Sequence, residues 1–360
     1  MAQSAVGRLF RCQNSNTLRQ SIGALTQRRA YSKNAIPTFP PTSSSELDQA
    51  LNRFREELFV PFGLTTQQRN LMSRQKYADR LEEEPVTVAI GENDEPFTLR
   101  PMDPQSRPTN RDMVDTISLM KTPQDWQNIL PFLAGLRMSH RVLKSDRWEW
   151  LVRKAGQADA LGVLLECAKR SDITGFRLNH AGIVQSFFFE LHRKAQRGEF
   201  KDPAVTKALS LAKQAIILME TPEHIERDVK LDPKRKPYVI GTLLELSAAR
   251  AVNELGGNDE GGHVRAYAQR LLATWSLGNF SRDAKTWVNA DQMLQENIPI
   301  YNGMKLALQV KEVSQDKTIS SGLKTRINGL NMAITSHKEM APEKVMQQPS
   351  RGYEQSLLLH

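Results

Sequence analysis

The chain has 360 residues, with 49 Lys and Arg against 40 Asp and Glu and a formal net charge of +9 at pH 7. At 39% apolar and 25% charged it has the composition of a globular protein and not of a disordered one. No run nears the ~18 apolar residues that a transmembrane helix needs. With Cys12 and Cys167 its only thiols, cysteine-based zinc and iron–sulfur sites are excluded.

Residues 1–45 contain no Asp or Glu; the first acid is Glu46. Arg8, Arg11, Arg19, Arg28 and Arg29 are interleaved there with Val6, Leu9, Phe10, Leu18, Ile22 and Leu25. An Arg- and Ser-rich, acid-free, weakly amphipathic start is the composition of a mitochondrial transit peptide, and the apolar residues are too scattered for a secretory signal. The stretch Arg29, Ala30, Tyr31, Ser32 resembles a matrix processing-peptidase site, so residues 1–31 are expected to be removed after import into the matrix. Five of the 49 basic residues and none of the 40 acids lie in 1–31, leaving 44 against 40, a net charge of +4. Total charge is therefore a weak argument for nucleic acid binding. Cys167 becomes the sole thiol, set in the apolar run 160–168 as a packing residue.

Residues 32–45 are Pro- and Ser-rich and are expected to form a linker. A small acidic N-terminal region, 46–110, follows. A helix opens at Ser45 and Glu46, runs through Leu51, Phe54 and Leu58, and is expected to stop at Pro61. A second spans 66–81. In 85–101, Val86, Val88 and Ile90 alternate with Thr87 and Ala89, and Phe97 to Leu99 follow a Gly-Glu-Asn-Asp turn, which predicts one β-hairpin.

From 111 to 338 the pattern is helical. Helices are predicted near 111–120, 123–136, 147–156, 158–170, 180–197, 203–220, 237–255, 262–277, 283–296, 300–314 and 318–338. In 203–220, Val205, Leu209, Ala212, Ile216 and Met219 recur at helical intervals, and Asp202-Pro203 places Pro in the first turn. The stretch 256–262, four Gly with Asp259 and Glu260, predicts a flexible connector, since carboxylates repel a phosphate. Residues 339–360 lack a strong period and are expected to form a frayed tail.

Helix pairs starting near 147 and 180 are about 33 residues apart, a spacing close to that of helical-repeat proteins. Residues 148–197 run as a short helix, a Gly-containing turn, an Ala/Leu helix, and a Gly-Phe-Arg-Leu-Asn link into another helix. Over about 147–220 the chain thus resembles a degenerate pentatricopeptide or tetratricopeptide-type protein, although the family's base-selecting Asn and Asp positions are not recovered. The helical pattern, with that resemblance, gives the expected fold class: mostly α, an irregular stack of antiparallel helical hairpins, preceded by a region with at most one β-hairpin.

No P-loop, dinucleotide-binding, zinc-protease or serine-hydrolase motif occurs, and the seven His show no metal-ligand pair on one helix face. A non-enzyme without cofactor or metal is expected. Charge distribution says more: residues 32–120 carry ten basic and fourteen acidic residues, whereas 137–201 carry thirteen and seven. Within or near the second stretch, Arg147, Arg153, Lys154, Lys169, Arg170, Arg177, Arg193, Lys194 and Arg197 fall largely at predicted helix ends. In a stack of hairpins such ends align and can track a phosphate backbone. Trp148, Trp150 and Phe187–Phe189 lie among them, either as core or as platforms for bases. A second cluster, Lys234, Arg235 and Lys236, is flanked by Pro233 and Pro237, which predicts an extended, exposed loop suited to phosphate or an acidic partner.

Helical stacks in mitochondria serve RNA metabolism and translation. By that analogy the expectation is a non-catalytic matrix factor binding RNA or the mitochondrial ribosome through basic helix ends, a stable mitoribosomal subunit being one form of it. The alternative is an interaction scaffold that holds a protein client of a respiratory complex.

Overall fold

The computed structural model describes residues 36–91, 94–280 and 284–359. Arg29, Tyr31 and Ser32, the expected processing site, lie outside the described residues. Helices of six or more residues are α1 Ser45–Phe54, α2 Thr66–Ser73, α3 Ala78–Glu83, α4 Asn110–Leu119, α5 Ile129–Met138, α6 Ser145–Gln157 and α7 Leu161–Lys169. They continue with α8 Ala181–Arg197, α9 Ala204–Leu218, α10 Pro237–Glu254, α11 His263–Ala273, α12 Trp287–Ala307, α13 Lys317–Glu339 and α14 Arg351–Ser356. Among the described residues the only sheet is the hairpin β1 Thr87–Ile90 and β2 Glu95–Thr98, antiparallel with Thr87 opposite Thr98. The fold is mostly α with one small β-hairpin, as composition and periodicity imply.

Local chemistry sets many of the helix starts. Ser44 accepts from the Leu47 N–H to cap α1. Thr65 with Gln68, and Thr109 with Asp112, form reciprocal capping boxes on α2 and α4. Asp316 accepts from the N–H groups of Thr318 and Ile319 at the start of α13.

The main core runs from α1 through α13 and is centred on α10 and α12, which pack on one another more closely than any other pair. Their approach depends on two glycines. A Cβ on Gly241 would lie 2.5 Å from Ile300 Cγ1, and one on Gly303 would lie 2.8 Å from the Gly241 carbonyl oxygen. This contact explains why the two helices expected at 283–296 and 300–314 are a single helix, α12, with Pro299 buried inside it. An interior Pro costs ~3 kcal/mol, and burial of Leu294, Ile298, Ile300 and Met304 offsets that cost.

The N-terminal part has its own smaller apolar cluster, Ile36, Val60, Leu64, Met72, Leu81, Ile90 and Leu99. Pro61 does not stop the first helix: Arg55–Phe59 form a π turn and Val60–Gly63 continue helically with Pro61 in their first turn. The helix expected at 66–81 is broken at Arg74 into α2 and α3.

Three segments expected to be loose are fixed by side chains. Residues 36–44, within the expected linker, lie along the core. Asp125 accepts from Ser43 N at 2.8 Å and Ser43 Oγ at 2.9 Å, and Asn128 Nδ2 donates to Pro40 O at 3.2 Å. Burial alone would raise the Asp125 carboxyl, but hydrogen bonds from Ser43 and Thr122 bring it down to about 2. The Gly-rich loop 256–262 is tied as well, since Asp259 accepts from Val264 N and Arg265 N to cap α11, and Lys311 N donates to Gly257 O at 3.0 Å. The expected frayed tail is also corrected. Residues 351–356 form α14, which docks on α12 and buries Gly352, Gln355 and Ser356.

Candidate nucleic-acid interface

The long basic stretch resolves into two sets of side chains. On α8, Arg193 and Lys194 project toward carboxylates, one of them Glu190 on the same helix. Arg193 Nη2 lies 3.1 Å from Glu354 and Nη1 lies 3.5 Å from Glu190, while Lys194 pairs with Asp159. Arg197 donates to the Gly156 carbonyl at 2.9 Å, and its guanidinium is destabilised chiefly by burial and by neighbouring Arg193. Lys169 pairs with Glu166 at 2.6 Å, and Arg170 is half-buried. Arg147 is exposed, 3.8 Å from the neighbouring Asp146, Arg177 is exposed, and Arg153 and Lys154 are half-buried with no ion pair among the described residues.

Of these cations, Arg193 belongs to a buried ionic junction. Glu190 is fully buried and receives the Arg351 guanidinium from α14. Desolvation, with Arg153 nearby, brings the Arg351 guanidinium down to about 10. Two residues on, His192 Nδ1 lies 2.8 Å from Glu245 Oε2 on α10, and its Nε2 lies 3.0 Å from Gln355 Oε1. Both His192 and Glu245 are 0% exposed. A Cβ on Gly156 would fall 2.4 Å from the Glu190 side chain, so only glycine leaves room for that carboxylate. These groups fasten α14 to α8 and α10.

The aromatics divide in the same way. Phe187, Phe188 and Phe189 are buried and take no part in base stacking, while Trp148 and Trp150 are half-buried, Trp148 packing on Phe176 at 5.4 Å between centroids. Burial pushes the Cys167 thiol up, which fits packing and not nucleophilic chemistry.

The cluster Lys234, Arg235 and Lys236 is not an extended exposed loop. Pro233–Arg235 form a 3₁₀ turn because Asp232 accepts from Lys234 N at 3.1 Å and lies 3.6 Å from the Arg235 guanidinium. The Lys234 side chain is only 11% exposed. Lys236 sits at the start of α10 and helps line a cavity of about 250 Å³ between the first turns of α8 and α10, with Gln185, Tyr238, Glu296 and Asn297. Tyr238 Oη donates across it to Ala181 O at 3.3 Å. One lysine and one glutamate leave the cavity charge-balanced. Among the described residues no group of three His, Cys, Asp or Glu is placed to hold a metal, and no helix is long and apolar enough to cross a membrane.

Comparison with known proteins decides the family. A family model described as mitochondrial ribosomal protein mS27 (Mrp13) matches residues 24–358. The chain belongs to the mitochondrial ribosomal protein mS27 family. A relative from Neurospora crassa, the small ribosomal subunit protein mS27, is 26% identical over 258 residues, 67% of this chain and 65% of the relative. The chain thus spans just under two thirds of that curated relative's length. The mS27 match takes the place of the pentatricopeptide-type resemblance over 147–220, which it does not support. It accords with a mitochondrial protein described by its place in a ribosome and not by a reaction.

A further cationic surface lies outside the central strip. Helix α13 carries no acid between Asp316 and Glu339. Its signal in the sequence is missing carboxylates and not an excess of lysines.

Proposed function

We propose that this chain is a non-catalytic protein of the small subunit of the mitochondrial ribosome, working in the matrix in mitochondrial translation. The observation that carries the reading is the mS27 family match, which runs through nearly the whole chain, from 24 to 358. The absence of any catalytic motif from the sequence and the tying of buried charges into structural pairs agree with a scaffold. In this reading the cations of the central strip that remain for RNA or ribosomal contact are Arg147, Arg153, Lys154, Arg177 and Lys236. Arg193, Lys194 and Arg197 hold the fold in place. Contacts of this kind are electrostatic and weaken as salt rises.

Sedimentation of the tagged chain from gently lysed mitochondria tests the proposal. Co-migration with the small ribosomal subunit that is lost on ribonuclease treatment is expected. A light monomer, or a nuclease-resistant particle containing respiratory-chain subunits, would overturn it in favour of an assembly factor.

A further inference from the structure

Helix α13 spans 23 residues, and its inner face is plain: Ile319, Leu323, Leu330 and Ile334 are buried against α11 and α12. The opposite face carries Lys317, Thr318, Ser321, Lys324, Thr325, Asn328, and farther on Asn331, Thr335 and Ser336, all exposed. From Lys317 to Lys338, about 32 Å of helix at ~1.5 Å per residue, no carboxylate interrupts this face. The one adjacent in sequence, Asp316, is spent on the helix N-terminus and on Arg265 at 3.0 Å. No ion pair holds Lys317 or Lys324 among the described residues, in contrast to Arg193 and Lys194.

The first three turns form a shallow groove of about 380 Å³ lined by Lys317, Ser320, Ser321, Lys324, Thr325 and Asn328. Its chemistry consists of ammonium groups, hydroxyls and an amide. Ser320 and Thr325 donate their hydroxyl protons to Lys317 O and Ser321 O of the same helix, which leaves Lys317, Lys324, Ser321 and Asn328 as outward donors. Arg326 is turned aside over the Trp275 ring, 5.2 Å from its centroid.

We infer that the solvent face of α13 binds the phosphodiester backbone of RNA without reading its sequence. Backbone contacts are made by Lys and Arg with Ser, Thr and Asn between them, the set displayed here. A protein partner fits less well, because binding hot spots are built on Trp, Tyr and Arg, and the only large apolar side chain on this face is Met332, 74% exposed. A membrane surface is disfavoured because the apolar side of the helix is already buried in the core. With no aromatic residue on the face there is no platform for a base, so affinity follows charge and salt and not sequence. The inference rests on the ribosomal reading for its setting and adds the surface and the class of partner.

Two measurements test it on the full chain. Filter binding to a mixed-sequence, structured RNA from about 50 to 200 mM salt compares wild type with K317Q/K324Q, K317E/K324E and a control, K207E, on the exposed side of α9. Neutralising both lysines is expected to lower the salt slope by about two. Reversing both is expected to weaken binding by at least tenfold at the lowest salt, with unchanged circular dichroism and no effect from K207E. Equal binding by folded wild type and K317E/K324E would overturn the inference. In the second arm a photo-crosslinker replaces Thr325 in the tagged chain inside mitochondria. A nuclease-sensitive adduct supports RNA, whereas adducts to protein alone, or none, argue against it. Failure of the chain to sediment with the small subunit would instead defeat the ribosomal reading, and the filter assay would still decide the surface.

Discussion

Helices α8 and α13 both carry cations, and the two sets do different work. On α8, Arg193 and Lys194 meet carboxylates 161 and 35 residues away in sequence. On α13, Lys317 and Lys324 face outward from a helix whose preceding acid in sequence, Asp316, is already engaged. A cation that sits on the acceptors of its own fold has already lost part of its hydration and has little left to offer a partner. One that stands in water among hydroxyls retains its full field for phosphate. The number of basic residues in a stretch is thus a poorer guide to an RNA surface than the positions of the acids around them.

The sharpest way to break this contrast is through the junction of α8 and α14. Arg351→Ala removes the closer of the two guanidinium groups on the fully buried Glu190, leaving Arg193 at 3.5 Å, and loss of one member of a buried pair costs about 3–5 kcal/mol. Urea denaturation is expected to show that loss, together with protease sensitivity near residue 350. A change below about 1 kcal/mol would mean that the junction is not structural.

A smaller effect is expected at the N-terminal strap. Asp125→Ala removes the carboxylate that holds Ser43 and the turn at Thr122, for about 2–3 kcal/mol by the usual worth of hydrogen bonds to a charged group. Its carboxyl is brought down to about 2 from an ordinary value of 3.8. The stability it supplies is therefore complete above about pH 4 and lost as pH falls toward 2. Acid titration of wild type and D125A should converge in that window, and parallel curves would refute the assignment.

Smaller still is Lys194→Ala, whose partner Asp159 is 59% exposed. Partly exposed pairs contribute ~1 kcal/mol or less, so a shift of that size and no change in RNA binding is expected. At the bottom of the scale, Lys324→Gln should move stability by less than about 0.5 kcal/mol while lowering the salt slope of RNA binding by about one. Thermal melts beside filter binding compare these two variants directly. If Lys194 altered binding and Lys324 did not, the contrast between the helices would be reversed.

Much of this architecture is legible in the chain. The hairpin follows from alternation at 86–90, and most helices between 110 and 338 fall within a few residues of their apolar period. The misplaced boundaries share a cause. Pro61 and Pro299 are local stop signals, but Val60 and Phe59 are buried beside one and Gly241 and Gly303 allow close packing around the other. Burial there outweighs a propensity term of a few kcal/mol. The Pro-flanked cluster at 234–236 fails as an exposed loop because Asp232, two residues upstream of Lys234, turns it back on itself.

The sequence by itself determined the elements that depend on neighbours within a turn or two: the helix periods and the hairpin. Only the tertiary structure decided which charges are used internally. Glu190 with Arg351, His192 with Gln355, and Ser43 with Asp125 join residues 161, 163 and 82 positions apart. Nothing local distinguishes such residues from their solvated counterparts. Desolvation by the surrounding helices makes a buried charge require a partner, and that environment exists only once the chain has folded.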